Sequence, residues 1–231
     1  MKILILGDGL LGSELRNQTG WDHMSRKKDG FDITNPNTWS MTTISDYDQI
    51  VNCIANTDTY NRNRKPLWIT NYMAVKNLIR MCNMLSMKLV HISTDYVYAG
   101  SVPNASEEDI PIPCRNWYTY SKLLADQHTI EYSQDCLILR ASFKPRPFPH
   151  PRAYNLVGNF DYVDIIAELM INAILWNMDG IVNIGTETKT ILELAKRTNP
   201  EVTLLNAQPD DAPTNITMDI SKYEHCRDSN T

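Results

Sequence analysis

Tyr118 and Lys122 stand four residues apart at the start of a predicted helix, so both side chains project from one face. A lysine ammonium beside a tyrosine stabilises the phenolate and draws the phenol pKa down from about 10 toward a value useful for proton transfer. Tyr120 is a poor rival, because its own i+4 position is Leu124. Tyr-x-x-x-Lys spacing is common in helices that do no chemistry, so it acquires meaning only from companions. One companion is Ser93-Thr94-Asp95-Tyr96, at the carboxyl end of a predicted strand, where open α/β sheets place their ligands. Thr94 there can hold the oxygen that Tyr118 protonates; the plainer reading is a strand-end turn stabilised by Thr and Asp side chains. Another is Gly7-Asp8-Gly9-Leu10-Leu11-Gly12, a G-x-G-x-x-G turn between a predicted strand and a predicted helix. In a dinucleotide fold Gly7 makes the tight turn, Gly9 admits a pyrophosphate to the backbone and Gly12 lets helix and strand pack closely. The helix N-terminus then offers free N–H groups to the phosphates.

These residues need a scaffold that brings strand ends and helix starts to one edge. Residues 3–6 are a short apolar run that stops at Gly7, and Leu10, Leu11 and Leu15 recur at helical spacing, which makes a βα unit. Further strands are expected, weakly at 21–24 and clearly at 49–54, 88–92 and 136–139, with helices over 67–85 and 118–132 between them. Strands alternating with helices imply an α/β fold, a Rossmann-type doubly wound parallel sheet with helices on both faces. From Phe143 the composition changes. Pro145, Pro147, Pro149 and Pro151 alternate with Arg146, Phe148, His150 and Arg152, which forbids helix. The chain thus divides into a cofactor-binding domain over residues 1–142 and a small, shortened C-terminal lobe over 143–231, some of whose elements pack back on the first. In that lobe the pattern predicts a helix over 162–175, a strand over 181–184, a helix over 190–197 and a polar, irregular tail after Pro209.

At 231 residues, 42% hydrophobic and 21% charged, the chain buries a core and is not disordered. Its 22 basic against 27 acidic side chains leave a net charge of −5, without the cationic excess of a general nucleic-acid binder. No apolar run approaches the roughly 20 residues that cross a bilayer, and the N-terminus does not read as a signal peptide. The expectation is a cytoplasmic protein with no membrane or nucleic-acid partner. Cys53, Cys82, Cys114, Cys136 and Cys226 are scattered without a C-x-x-C pair, and no cluster suggests a metal. The end of the second strand discriminates between nicotinamide cofactors, since an acid there pairs with a free ribose hydroxyl and a basic residue accepts a 2′-phosphate. Ser25-Arg26-Lys27-Lys28 favours NADP(H) over NAD(H).

Taken together, GDGLLG (7–12), NCIANT (52–57), HISTDYVYAG (91–100) and YTYSK (118–122) resemble an extended short-chain dehydrogenase/reductase, and within that class the dTDP-4-dehydrorhamnose reductases and their sugar-nucleotide relatives. The resemblance is good to about Ser142 and thins afterwards, although 181–185 and 218–221 resemble later landmarks. It implies an NADPH-dependent reductase of a 4-keto-6-deoxy sugar nucleotide, with hydride passing from nicotinamide to the keto carbon while Tyr118 donates the proton and Thr94 orients the carbonyl. By the same resemblance Gly7, Gly9, Leu10, Leu11 and Gly12 wrap the cofactor pyrophosphate, Ser25 and Arg26 meet the 2′-phosphate, and Asp32 and Ile33 border the adenine. Ile54, Ala55 and Asn56 line the ribose with Asn71 nearby, Tyr118 and Lys122 touch the cofactor, and Ala141 and Ser142 close over the nicotinamide. Asp95, Tyr96 and Phe143 touch the sugar, Phe143 standing where this family often has Trp. Arginine forks suit a diphosphate, so Arg146 and Arg152 are assigned to the nucleotide-sugar pyrophosphate, against the plainer reading of a solvated basic loop. Two other functions keep the same residues: a nucleotide-sugar 4-epimerase or dehydratase that retains NAD, and a catalytically silent NADP-binding regulatory subunit. A homodimer is the assembly that such proteins often form.

Overall fold

The apolar run that stops at Gly7 forms β1 (Ile3–Leu6), which feeds α1 (Leu10–Thr19), β2 (Asp22–Met24), α2 (Arg26–Asp29), α3 (Met41–Ile44) and β3 (Gln49–Asn52). Next, α4 (Arg64–Trp68) continues through a π-helical stretch at Ile69–Met73 into α5 (Ala74–Leu85), followed by β4 (Lys88–Ile92), α6 (Trp117–Tyr132) and β5 (Cys136–Arg140). Four short strands come after it: β6 (Phe143–Lys144), β7 (Arg152–Ala153), β8 (Val157–Gly158) and β9 (Asp161–Tyr162). The chain ends in α7 (Val163–Leu175), β10 (Gly180–Asn183), β11 (Lys189–Thr190), α8 (Ile191–Lys196), β12 (Thr203–Leu204) and α9 (Ser221–Asn230). This computed structural model describes residues 1–59, 63–113, 116–207 and 212–230.

Six strands form one sheet in the order β10-β5-β4-β3-β1-β2, every neighbouring pair parallel. A parallel sheet is covered on both faces, which is why its strands read as unbroken apolar runs. Successive side chains point to opposite faces. Ile3, Ile5, Val51 and Val90 pack beneath α1 and α7 through Leu11, Leu15, Ile166 and Met170. Leu4, Leu6, Ile50 and Leu89 pack on the other face against Val75, Leu78, Ile79 and Cys82 of α5. Strand order reverses between β1 and β3, and the crevice at their carboxyl ends is where this architecture binds ligands.

The sheet is completed from beyond residue 142, since α7 packs on α1 and β10 pairs with β5. The rest of the C-terminal part has its own apolar cluster, including Phe148, Phe160, Tyr162, Leu194 and Ile216. A capping box starts α8, with Thr190 and Glu193 bonded reciprocally. The tail expected to be irregular after Pro209 instead closes with α9. Asp219 Oδ1 accepts from the Ser221 N–H at 2.8 Å, and the Tyr223 ring packs 5.6 Å from that of Trp176. Only Tyr223 and Cys226 of this helix meet the main core, too few to make a periodic pattern. Among the described residues no helix is long and apolar enough to cross a membrane.

Candidate functional site

The carboxyl ends of β1, β3, β4 and β5 open on a cleft of about 410 Å³. The residues singled out in the sequence that line it are Gly9, Leu10, Leu11, Ala55, Thr94, Tyr96, Tyr118, Lys122, Ala141, Ser142 and Phe143. Tyr120 instead faces outward, its ring edge-on to Trp117.

The glycine turn has one requirement at each position. Gly7 sits at φ +105°, a left-handed conformation, and a Cβ there would lie 2.9 Å from Ile54 Cγ1. A Cβ on Gly12 would come within 2.2 Å of the Gly7 carbonyl oxygen, so α1 approaches β1 only because that carbon is missing. A Cβ on Gly9 would meet nothing within 4 Å, and α1 starts there without a side-chain cap, which leaves first-turn N–H groups beside the cleft. The open space and the uncapped helix start fit a dinucleotide phosphate. Gly12→Ala is therefore expected to cost about 1–3 kcal/mol of stability through overpacking, whereas Gly9→Ala, at an N-cap with open space, should cost less and weaken binding of a nicotinamide dinucleotide. Melting curves and fluorescence titration of the two variants check this contrast.

Thr94 is buried at the cleft wall. Its Oγ1 accepts from the Tyr96 N–H at 3.2 Å and donates to Asp95 Oδ1 at 3.3 Å, so it caps a turn and faces the cleft at once. Asp95 was expected to touch a sugar; it lies wholly buried beneath the wall, where burial pushes its carboxyl up to about 7. Lys144, not singled out in the sequence, lines the cleft instead. Its ammonium lies 5.7 Å from the Phe160 ring centroid and 3.4 Å from Ser142 Oγ, and burial lowers its pKa against the pull of Asp95.

Lys122 is buried with its Nζ 2.6 Å from the Ile92 carbonyl oxygen and 3.1 Å from His91 Nε2, and burial brings its pKa down to about 8. Behind it runs a buried polar chain. Asp126 Oδ2 accepts from Ser93 Oγ at 2.8 Å and from Arg140 Nε at 3.0 Å, Arg140 Nη1 donates to Tyr98 Oη, and Tyr98 donates to Asn183 Oδ1 at 3.2 Å. Two signals for it were present in the sequence. Asp126 is one helical turn past Lys122, and Arg140 closes an otherwise apolar strand, a place where a charge must be paired.

Other expected site residues sit around the cleft rather than on it. Asn71, within the π-helical stretch, accepts from the Asn56 N–H at 2.8 Å and donates to the Asn56 carbonyl at 3.0 Å and to Ser121 Oγ at 3.2 Å, tying the loop after β3 to α6. Ser25 caps α2 through the Lys28 N–H. Arg26 is exposed and paired with Asp32 at 2.8 Å; the bonds that Asp32 accepts from Thr34, and after them the Arg26 pair, hold its carboxyl below the usual range. Ile33 turns into the core beside Phe31 and Trp39. Arg146 pairs with Asp164 at 2.8 Å and stacks over Tyr162, while Arg152 is exposed on β7; neither lines the cleft. Among the described residues Cys53, Cys82, Cys136 and Cys226 are free thiols and no group of side chains could hold a metal, whereas Cys114 lies outside the described residues.

A parallel sheet whose switch point carries a glycine turn, with Thr, Tyr and Lys at the same cleft, defines an extended short-chain dehydrogenase/reductase. Within that class the chain belongs to the RmlD substrate binding domain family, whose model matches residues 1–143. It is 36% identical over 101 residues to the probable low-salt glycan biosynthesis reductase Agl14 of Haloferax volcanii, a match covering 42% of this chain and 33% of that protein. It is 28% identical over 152 residues to the dTDP-4-dehydrorhamnose reductase of Mycobacterium tuberculosis, covering 62% of this chain and 50% of that one. The chain thus matches a third to a half of the length of these curated relatives. A crystal structure of a hypothetical dTDP-4-dehydrorhamnose reductase from Sulfolobus tokodaii superposes with a TM-score of 0.81 at 25% identity, over 97% of this chain and 94% of that one. The dTDP-4-dehydrorhamnose reductase of Bacillus anthracis in complex with NADP shares the fold with a TM-score of 0.82 at 21% identity, over 97% and 92% of the two chains.

Proposed function

We propose that this chain is an NADPH-dependent reductase of a 4-keto-6-deoxy sugar nucleotide. The observation that carries the reading is that Thr94, Tyr118 and Lys122 line the same cleft as the N-terminal turn of α1. Gly9, Leu10 and Leu11 would hold the cofactor pyrophosphate, Arg26 the 2′-phosphate, and Ala141 and Ser142 the nicotinamide. A bound nicotinamide supplies the hydride that reduction of a ketone needs. The chain's own residues do the rest. Thr94, by turning its one hydroxyl proton from Asp95 Oδ1 to the keto oxygen, fixes the carbonyl, and Tyr118 protonates that oxygen as it becomes an alcohol. Lys122, when charged, stabilises the tyrosinate left behind. Tyr96 and Phe143 wall the sugar, and Lys144, in place of Arg146 and Arg152, offers its charge to the anionic part of the substrate.

The exposed Arg26 guanidinium, 71% accessible, supports NADP(H) over NAD(H). The buried position of Asp95 weighs against a dehydratase, which needs an acid at the reacting carbon. Residues 143–231 add Phe143 and Lys144 to the substrate side of the cleft, beside Thr94, Tyr96 and Tyr118 of residues 1–142, which also supply the cofactor side. Purified chain mixed with NADPH and a panel of 4-keto sugar nucleotides is expected to consume the nicotinamide absorbance with at least one of them. Tight NADPH binding without turnover on any member of the panel would identify a silent subunit and overturn the reductase.

A further inference from the structure

His91, on β4, is fully buried behind Lys122 and takes no part in the chemistry described above. Its tautomer is set by its neighbours. Asn52 Oδ1 accepts from the Ile54 N–H at 3.2 Å, which turns the Asn52 amide NH2 toward His91 Nδ1 at 3.3 Å. An amide nitrogen only donates, so Nδ1 is the acceptor and the ring proton sits on Nε2. Burial first, and then the neighbouring Lys122, hold the imidazole well below its ordinary range, so the ring is neutral.

The Nε2–H faces two groups, Lys122 Nζ at 3.1 Å and Asp126 Oδ1 at 3.9 Å. A hydrogen bond from it to Nζ requires a lone pair on that nitrogen, which only the neutral amine has; an ammonium would set donor against donor. Asp126 Oδ1 is buried and has no hydrogen-bond partner, while Oδ2 is taken by Ser93 and Arg140. A buried carboxylate oxygen left unpaired is costly, so an acceptor stands ready for the same N–H whenever the lysine is charged. The other titratable groups around Lys122 are the Cys53 thiol beyond β3, Tyr118 one turn earlier on α6, and Arg140 of β5 on the far side of Asp126.

We propose that His91 is a positioning residue that switches its Nε2–H between Lys122 and Asp126, holding the neutral amine back against β4 and leaving the charged lysine to project toward Tyr118. Its consequence for catalysis rests on the reductase reading, but its geometry does not, and the tests use the free protein. In histidine-15N-labelled chain the His91 ring should show the Nε2–H tautomer and keep it across neutral pH. In lysine-13Cε-labelled chain Lys122 should titrate at about 8. His91→Leu removes the donor that favours the neutral amine and should raise that midpoint by about one unit, a tenfold change in proton affinity. His91→Gln, which retains an N–H donor, should restore it. An Nδ1–H tautomer, a ring titrating in the ordinary histidine range, or a Lys122 midpoint unmoved by His91→Leu would overturn the proposal. If the leucine variant does not fold, the wild-type tautomer decides. Failure of the reductase reading would show as absent turnover with both spectra unchanged.

Discussion

Tyr118→Phe is expected to lower turnover by about 10²–10⁴-fold, the range a positioned general acid contributes. The substitution removes one oxygen from a half-buried ring and keeps the ring itself, so the cleft wall should stay in place. Reduction of a ketone without a proton donor at the developing alkoxide leaves water to supply the proton; among the described residues the other phenol lining the cleft is Tyr96, on the turn after β4, and Tyr120 is turned outward. NADPH affinity should be largely intact, because the glycine turn and Lys122 are untouched. Steady-state rates together with a fluorescence titration of NADPH separate the two quantities. Activity retained in the phenylalanine variant would mean that the proton comes from elsewhere.

Arg140→Met is expected to cost about 3–5 kcal/mol of stability, more than Gly12→Ala, because it strands a buried carboxylate. Arg140 and Asp126 are both inaccessible, and their 3.0 Å contact is joined by Ser93 and Tyr98. Methionine fills much of the same volume, so the loss measured is that of the charge partner more than of packing. The double variant Asp126→Leu/Arg140→Met removes both charges and should recover part of the loss, since an apolar replacement of a whole buried pair is often tolerated. Urea unfolding of the three proteins reads the difference; equal losses in single and double variants would show that the cost lies in packing.

What could be read from the sequence follows the range over which each feature is encoded. The parallel strands were legible because burial on both faces leaves a continuous apolar run, and the glycine turn because its three steric demands fall within six residues. Thr94, Tyr118 and Lys122 were legible as a motif, and the fold brings them to one cleft. Pairing across the fold was not legible. Composition marks residues 140–152 as basic, yet Arg140 is bound to Asp126, Arg146 to Asp164, and only Lys144 reaches the cleft. The π-helical stretch that presents Asn71 to Asn56 and Ser121 left no mark in a pattern read at 3.6 residues per turn. Helix α9 escaped because a helix with two contacting apolar residues has no stripe to detect.

Isotopic labelling tests most directly the proposed transfer of hydride, in this cleft, from a nicotinamide to a keto sugar carbon. Protein incubated with NADPH deuterated stereospecifically at the transferring position and a 4-keto sugar nucleotide is expected to yield an alcohol with one deuterium on the carbinol carbon, seen by mass spectrometry and by loss of that proton's NMR signal. An unlabelled product, or labelled cofactor recovered intact beside untouched substrate, would contradict it.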